Sequence, residues 1–536
     1  MKRRPIHPVG LAALLSCLVG AQSPPPTVTA GGEALEGLWI GPGAAVFRGI
    51  PYAAAPVGDF RWRPPALHRP RRGPQSARSF GPVCVQTERL TAWEKSIAAA
   101  FGTEDQVDAT PRNTDEDCLY LNVWTGNLGG KTPQPVMVWV HGGSNIAGEG
   151  SSPWYDGSML ARRGVVVVTI NYRLGVFGFL ALADLSAESP EKVSGNYALL
   201  DQLAALRWVQ SNIKQFGGDP GRVTVFGESA GSLDLVALMA SPQSNGLFHR
   251  AIAQSGAPMG VSLPLAQAEA QGAALVEASG IDVSGGAAAA LRRKPAADLL
   301  QLSDRQLLAG KLQIQPVIDG RLLPDAPGRI FSTGKQQKVP LMIGSNAREM
   351  TTLRSYLPRI ERTAAAYRGW LAQTFGAGAE RLGQLYPVQS DGDVEGALID
   401  ATTELLFTCP ARFAARAMAR VGAPAYLYQF TRVRPRGRSL GAYHGAEITH
   451  VFETRLPWLP WEPADEQLSA AMARYWVAFA ATGTPAGEGL PAWPAHDAAG
   501  DRYLDLGPAI EAKAGLKKSA CDLLDSLYPR LWGPAR

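Results

Sequence analysis

The sequence has no long apolar run and little net charge. The apolar stretch of residues 9–19 is shorter than the roughly 20 residues that a membrane-spanning helix needs, so we expect no membrane span. The 52 basic and 47 acidic residues give a net charge of only +5, which argues against a nucleic-acid-binding surface. We also find no internal repeat and no low-complexity tract. With 46% hydrophobic residues, the chain has the composition of a well-buried globular protein.

Motifs that bind metals, phosphates or dinucleotides are also missing. The sequence contains no H-x-x-H pair and no cluster of acidic ligands. Neither a phosphate-binding G-x-x-x-x-G-K-[ST] loop nor a G-x-G-x-x-G turn is present. We therefore expect no metal and no cofactor. The oligomeric state is left open by the sequence.

Cysteine is scarce, with five residues in the chain. Cys17 lies in an N-terminal segment with a basic start, an apolar middle and small residues at 19–21, which predicts a signal peptide over residues 1–21 and an exported, periplasmic or secreted protein. Lipid attachment at Cys17 is the alternative, because L-L-S-C at 14–17 loosely matches a lipobox. An even number of cysteines then remains, which predicts two disulfides with three possible pairings among Cys84, Cys118, Cys409 and Cys521.

The most informative pattern is the run F-G-G-D-P-G-R-V-T-V-F-G-E-S-A-G at residues 216–231. Residues 223–226 predict a buried strand, and the apolar positions after residue 231 predict a helix. Between them, G-x-S-x-G is the pattern of a nucleophile elbow, a tight strand-to-helix turn that exposes a serine, here Ser229. Glycine is expected at 227 and 231, because side chains there would collide where strand and helix converge.

Buried strands alternate with helices along the rest of the chain. The apolar runs at 135–140 and 165–170 predict strands covered on both faces, and residues 198–213 have the periodicity of a helix. Later strands are predicted at 339–343 and 425–430. We therefore predict an α/β fold: a doubly wound, mostly parallel sheet in one catalytic domain over residues 22–536. Helical insertions at about 260–313 and 355–420 are expected to form a cap.

Further motifs are spread over almost the whole chain. They include F-R-G-I-P-Y-A at 47–53, E-D-C-L-Y-L-N-V-W at 116–124, N-Y-R-L-G at 171–175 and G-L-F-H-R-A-I-A-Q-S-G at 246–256. Together with the elbow, they resemble the type-B carboxylesterases, a family that includes para-nitrobenzyl esterases and cholinesterases. The resemblance implies the α/β-hydrolase fold and hydrolysis of carboxylic esters through an acyl-serine.

The resemblance also implies the partners of the serine, in the chain order serine, acid, histidine. The segment H-G-A-E-I-T-H-V-F at 444–452 is similar to the family's histidine segment, which makes His444 the general base and His450 a structural residue. The segment G-S-N-A-R-E at 344–349 makes Glu349 the acid that orients the imidazole. Arg348 and Met350 depart from the acidic residue and the glycine that usually flank this glutamate.

An oxyanion hole needs backbone N–H groups aimed at the developing negative charge. The resemblance places these groups at Gly143, Ser144 and Ala230. His141 is then expected to position the loop. Asn145 stands where relatives usually carry an aromatic residue, so we expect a more polar entrance to the site.

Three further features are implied by the resemblance. Ser255 matches a serine that braces the triad, with a plain core hydroxyl as the alternative. The cysteines are expected to pair as Cys84–Cys118 and Cys409–Cys521. Trp93 lies far from where the cation-binding tryptophan of cholinesterases would fall, which argues against acetylcholine as the substrate.

The expected function is that of a serine carboxylesterase acting on a small-molecule ester. The alternatives are an inactive adhesion or scaffold protein on the same fold, and an amidase using the same triad. Retention of the serine, glutamate and histidine favours an enzyme. Base catalysis by His444 predicts that activity is lost in acid, with an apparent pKa near the ordinary histidine value of about 6.5.

The charge of the substrate is predicted from the arginines nearest to these residues in the sequence. Four arginines lie at 432–438, shortly before His444, while Arg348 adjoins Glu349 and Arg354 follows it. Because arginine binds carboxylates in a bidentate manner, we expect a preference for esters that carry free carboxylates. The alternative is a solvated loop whose arginines face away from the site.

Overall fold

The computed structural model describes residues 24–257 and 262–531, and a sheet of eleven strands forms its centre. In chain order, the strands are β1 (Leu38–Gly41), β2 (Ala44–Pro51), β3 (Tyr120–Thr125), β4 (Gln134–Val140), β5 (Val166–Ile170), β6 (Gly218–Glu228), β7 (Arg250–Gln254), β8 (Leu341–Asn346), β9 (Ala425–Phe430), β10 (Arg502–Leu506) and β11 (Ile510–Ala514). Their order across the sheet is β11-β10-β9-β8-β7-β6-β4-β5-β3-β2-β1.

Strands β4 to β10 run parallel, and antiparallel strands extend the sheet at both edges. Strand β4 explains why the sequence here is apolar without alternation. Val136, Val138 and Val140 pack into the core on one face of the sheet, and Met137 and Trp139 pack into the core on the other. Helices cover both faces, so the prediction of a doubly wound, mostly parallel sheet is confirmed.

The helices of six or more residues surround this sheet. They are Arg89–Ala99, Ala183–Glu188, Tyr197–Asn212, Ala230–Ala240, Leu265–Ser279, Ala287–Arg292, Ala296–Leu308, Pro327–Ser332, Ala364–Phe375, Ala379–Leu385, Val394–Thr403, Cys409–Arg420, Pro463–Thr482 and Lys518–Leu531. Within the described ranges, none of the helices combines the length and the apolar character needed to cross a membrane.

The predicted elements agree with the structure to within a few residues, and the differences have local causes. The helix predicted over 198–213 is Tyr197–Asn212. The strand predicted over 339–343 begins two residues later, because Pro340 has no N–H to donate to the sheet. The two predicted insertions hold the helices Leu265–Ser279 to Ala296–Leu308 and Ala364–Phe375 to Cys409–Arg420.

The structure contains the disulfides Cys84–Cys118 and Cys409–Cys521. Disulfides persist in oxidising compartments, so two of them agree with an exported protein. The expected signal peptide at residues 1–21, including Cys17, lies outside the described residues.

The parallel strands bring four loops to one edge of the sheet. Strands β4, β6, β8 and β9 all end at this edge, since neighbouring parallel strands leave the sheet in the same direction. The chain segments that follow them carry Gly143, Ser229, Glu349 and His444, which lie far apart in the sequence. The topology therefore gathers the expected catalytic residues at the carboxyl edge of the sheet.

Candidate active site

Ser229 occupies the tight turn that the elbow pattern predicts. Strand β6 ends at Glu228, the helix Ala230–Ala240 begins directly afterwards, and Ser229 between them has φ 55° and ψ −123°. This backbone conformation is strained for a residue with a side chain. A Cβ atom at Gly227 would lie 2.7 Å from the carbonyl oxygen of Val140, and one at Gly231 only 2.1 Å from it. Glycine is therefore required on both sides of the serine, as expected.

The imidazole of His444 is held by a buried carboxylate. Nδ1 of His444 lies 2.7 Å from Oε2 of Glu349, and both side chains are buried. The backbone N–H of Asn346 donates to the other oxygen of Glu349 at 2.7 Å, which fixes the carboxylate. This contact defines the orientation of the ring and leaves Nε2 as the nitrogen available for proton transfer.

A second carboxylate, which the sequence argument did not identify, lies on the other side of the ring. Oε1 of Glu228 is 3.1 Å from Nε2 of His444. Glu228 is buried, and its position directly before Ser229 in the elbow was the available signal. The imidazole thus lies between two glutamates.

This arrangement shifts the pKa values of both groups. Burial raises the pKa of Glu228 to about 8, although the neighbouring imidazole opposes the shift. Burial lowers the pKa of His444, but the negative charges of Glu228 and Glu349 outweigh it and raise this pKa to about 9. Groups that interact this strongly titrate as a pair. The raised pKa of His444 favours an acid limb of activity above the expected value of about 6.5.

The expected oxyanion positions lie beside the serine. Gly143 and Ser144 line the same cavity as Ser229 and His444, and Ala230 begins the helix after the elbow. Gly143 has φ 107°, and a Cβ atom there would lie 2.1 Å from the carbonyl oxygen of Ala147. The loop can therefore adopt this tight turn only with glycine at this position.

His141 and Asn145, which flank the expected oxyanion positions 143 and 144, are both buried. The ring of His141 stacks on Tyr172 with centroids 4.4 Å apart, and burial lowers its pKa to about 4, so the imidazole is neutral at physiological pH. Asn145 is also buried, and its side chain contacts Asp234 and Tyr172. The expectation that Asn145 makes the entrance more polar is wrong, because the side chain points into the core.

Ser255 lies at the end of strand β7, with φ 49° and a fully buried side chain. Its backbone N–H donates to the carbonyl oxygen of Gly344, which ties it to the strand that leads to Glu349. Its hydroxyl has no hydrogen-bond partner among the described residues. A bracing role for Ser255 therefore stays a prediction.

The site opens into a cavity of about 310 Å³. Its floor is formed by the catalytic loops, and its walls come from the helix Arg89–Ala99 and the segment 352–356. Trp93, which was expected not to match the cation-binding tryptophan of cholinesterases, belongs to this wall. Of the two insertions, the first reaches the cavity rim through Asp304, which pairs with Arg89, and the second packs Phe407 against the ring of His444.

The arginines near His444 in sequence do not line the cavity. Arg432 and Arg434 are buried and pair with Asp465. The lining contains none of residues 432–438, and Arg348 and Arg354 likewise pair with carboxylates outside it. The basic residue in the described cavity wall is Arg89, whose Nη2 lies 3.2 Å from Asp304. The arginines at 432–438 therefore give no support to a preference for carboxylated esters, and the structure agrees with the alternative that they face away from the site.

Comparisons with known proteins identify the family of the chain and support its fold. Residues 31–524 match the model of the carboxylesterase family. The chain is 40% identical to the Fumonisin B1 esterase of Sphingopyxis macrogoltabida, with 88% of this chain and 84% of the relative covered. It is 36% identical to the para-nitrobenzyl esterase of Bacillus subtilis (strain 168), with 85% and 89% covered. A solved PNB esterase superimposes with a TM-score of 0.78 at 34% identity, covering 93% of this chain and 99% of the other.

The family match spans most of the chain, and the solved PNB esterase shares its fold over nearly its whole length. The chain belongs to the carboxylesterase family and is a carboxylic ester hydrolase with the α/β-hydrolase fold.

Proposed function

We propose that this enzyme is a serine carboxylesterase in which Ser229 is the nucleophile, His444 the general base and Glu349 the acid that orients it. One observation carries the proposal. Ser229, in its strained turn, and His444 line a single cavity, and Nδ1 of His444 lies 2.7 Å from the buried carboxylate of Glu349. This arrangement supports nucleophilic catalysis, because a serine hydroxyl needs an adjacent base whose orientation is fixed.

The reaction follows from these positions. The Oγ of Ser229 attacks the ester carbonyl while Nε2 of His444 takes its proton, and the carbonyl oxygen becomes an oxyanion. The backbone N–H groups of Gly143, Ser144 and Ala230 stabilise that charge. His444 then returns the proton to the leaving alcohol, which departs and leaves the acyl group on Ser229. A water molecule repeats the sequence and releases the carboxylic acid.

Glu228 affects the pH at which this reaction can proceed. Its carboxylate faces the same Nε2 that must accept the serine proton, and it stabilises the protonated ring. The base works only when Nε2 is free of its proton. Activity should therefore increase as pH rises through the elevated pKa of His444.

Removal of the nucleophile tests the chemistry. We expect Ser229→Ala to lower kcat on a neutral ester by on the order of 10⁴–10⁶-fold, because no acyl-enzyme can form. Ser232→Ala is the matched control, since it removes a buried hydroxyl from the same helix without touching the cavity wall. Turnover and acyl-enzyme trapping by mass spectrometry are the measurements. Wild-type turnover by Ser229→Ala would refute the assignment.

The pH profile tests the pair of glutamates. The acid limb of kcat/KM should lie above pH 6.5, because the pKa of His444 is raised and the ring stays protonated to higher pH. Glu228→Gln removes one of the charges that raise this pKa, so its acid limb should move to lower pH. Asp219→Asn, which changes a carboxylate at the other end of strand β6, should leave the limb in place. An unshifted limb in Glu228→Gln would show that Glu228 does not interact with the base.

We further propose that the enzyme favours esters that carry a free carboxylate. The names of the relatives point to different esters, so we infer this preference from the residues that line the cavity. Arg89 lies in its wall and Asp304 partly neutralises it. The hydroxyls of Ser144 and Tyr356 lie in the same wall, 2.7 Å apart. A guanidinium with two hydroxyls suits a carboxylate.

Substrate pairs of equal size, one neutral and one carboxylated, test this preference. Arg89→Gln should lower kcat/KM for the anionic ester about tenfold, which is the scale of one charged hydrogen bond, and leave the neutral ester unchanged. Asp304→Asn should have the opposite effect, because it frees the guanidinium. Arg436→Gln, an exposed arginine outside the cavity, is the control. Equal losses for both esters, or no loss in Arg89→Gln, would exclude this role for Arg89.

We also propose that the enzyme works outside the cytoplasm, in the periplasm or secreted, after removal of residues 1–21, so that residues 22–536 form one catalytic domain. The two disulfides support this proposal. Mass spectrometry of the exported protein should show the loss of about 21 residues and both cross-links. A lipid on Cys17 would instead indicate membrane anchoring, and an intact N-terminus with four free thiols would contradict export.

A further inference from the structure

The turn at residues 143–145 has a backbone that needs support. Ser144 has φ 56° and Asn145 has φ 58°, so two consecutive residues with side chains adopt the left-handed conformation. Such conformations cost free energy and persist where the surrounding contacts over-determine them. The contacts that hold this turn are therefore part of how the site is built.

Asn145 provides most of these contacts. Its Nδ2 donates to Oδ1 of Asp234 at 3.1 Å, and its Oδ1 accepts the hydroxyl of Tyr172 at 3.2 Å. Its carbonyl oxygen accepts the N–H of Gly175 at 2.7 Å. Because asparagine tolerates the left-handed conformation better than most residues, this position suits both its backbone and its side chain.

Asp234 links the turn to the helix that carries the nucleophile. It lies in the second turn of the helix Ala230–Ala240 and is fully buried. Its carboxyl accepts hydrogen bonds from Asn145 and, at 2.6 Å, from Gln202 on the helix Tyr197–Asn212. Three elements therefore meet at one carboxyl group.

Burial of the Asp234 carboxyl group costs desolvation free energy. Both of its hydrogen-bond partners are neutral amides, and burial raises the pKa of Asp234 to about 7 despite these two bonds. An apolar side chain at this core position would avoid the desolvation cost. We infer that the hydrogen bonds of Asp234 fix the relative positions of these three elements more than they stabilise the folded protein.

We propose that Asn145 and Asp234 are positioning residues of the oxyanion hole, whose buried pair holds the 143–145 turn at a set distance from the elbow helix. The inference rests on the proposed function, in which the N–H groups of Gly143 and Ser144 on the turn and of Ala230 on the helix bind one oxyanion. The donors come from two separate elements, so their relative position must be held by contacts between them. The Asn145–Asp234 pair is such a contact.

Truncation of Asn145 is the first test. We expect Asn145→Ala to lower kcat about 10²-fold, the effect of a misplacement near 1 Å, with KM little changed. The affinity for a trifluoromethyl ketone, whose adduct with the serine places an oxyanion in the hole, should fall in parallel. Asn196→Ala is the matched control, because Asn196 is also buried and donates to an aspartate, Asp319, at 2.8 Å outside the cavity wall. It should lose thermal stability but keep kcat and inhibitor affinity.

An exchange of the two residues is the second test. Asn145→Asp should lower kcat, because it brings two carboxyl groups together. Adding Asp234→Asn reverses the bond: the new amide at 234 donates to the new carboxylate at 145 and still accepts from Gln202. We expect this double variant to recover most of the lost kcat and inhibitor affinity. If Asn145→Ala does not fold, this pair of variants still tests the proposal.

Two results would overturn the inference. The first is unchanged kcat and inhibitor affinity in Asn145→Ala, with a loss of stability like that of Asn196→Ala. The second is an exchange variant as slow as Asn145→Asp alone. Failure of the proposed function would look different, because the wild-type enzyme itself would then form no acyl-Ser229.

Discussion

The active site depends on the close packing of the elbow against the end of strand β4. Gly227 pairs with Val140 in the sheet, and the carbonyl oxygen of Val140 leaves no room for a side chain at Gly227 or Gly231. Strand β4 continues directly into the loop with the expected oxyanion donors. Ser229 and these expected donors therefore leave the sheet side by side, and a bulkier elbow would separate them.

Electrostatics at the floor of the cavity follow from the same packing. Glu228 and Glu349 contact opposite nitrogens of His444, and Glu447 adds a third buried carboxyl nearby. Gln254 and Asn346 donate to Glu447, so its oxygens are satisfied without a cation. The floor thus groups three carboxyl groups around one imidazole, and their interaction with the protonated ring explains why its pKa rises in spite of burial.

Much of the fold could be predicted from the sequence, because apolar runs and the elbow glycines respond to local constraints. The turn at Ser229 also follows from the local elbow pattern, whereas Glu349 and His444 were expected from the resemblance to the family, and their roles stay predictions. Features that depend on long-range side-chain contacts were not accessible. Trp93 lies in the cavity wall against Trp154, which is 61 positions away. The orientation of Asn145 depends on Asp234, 89 positions away. Neither contact leaves a pattern in the local sequence.

The arginines show how proximity in sequence can mislead about recognition. Arg432 and Arg434 precede His444 closely, yet both contact Asp465, which also lies 3.3 Å from His450. These residues form a buried polar cluster around Asp465 that does not line the cavity. Arg89 is 355 positions before His444 and lies in the wall of its cavity. In the proposed function, charge recognition at the wall and proton transfer at the floor involve different residues. Changes at Arg89 or Asp304 are therefore expected to alter substrate preference while the contacts around His444 stay intact.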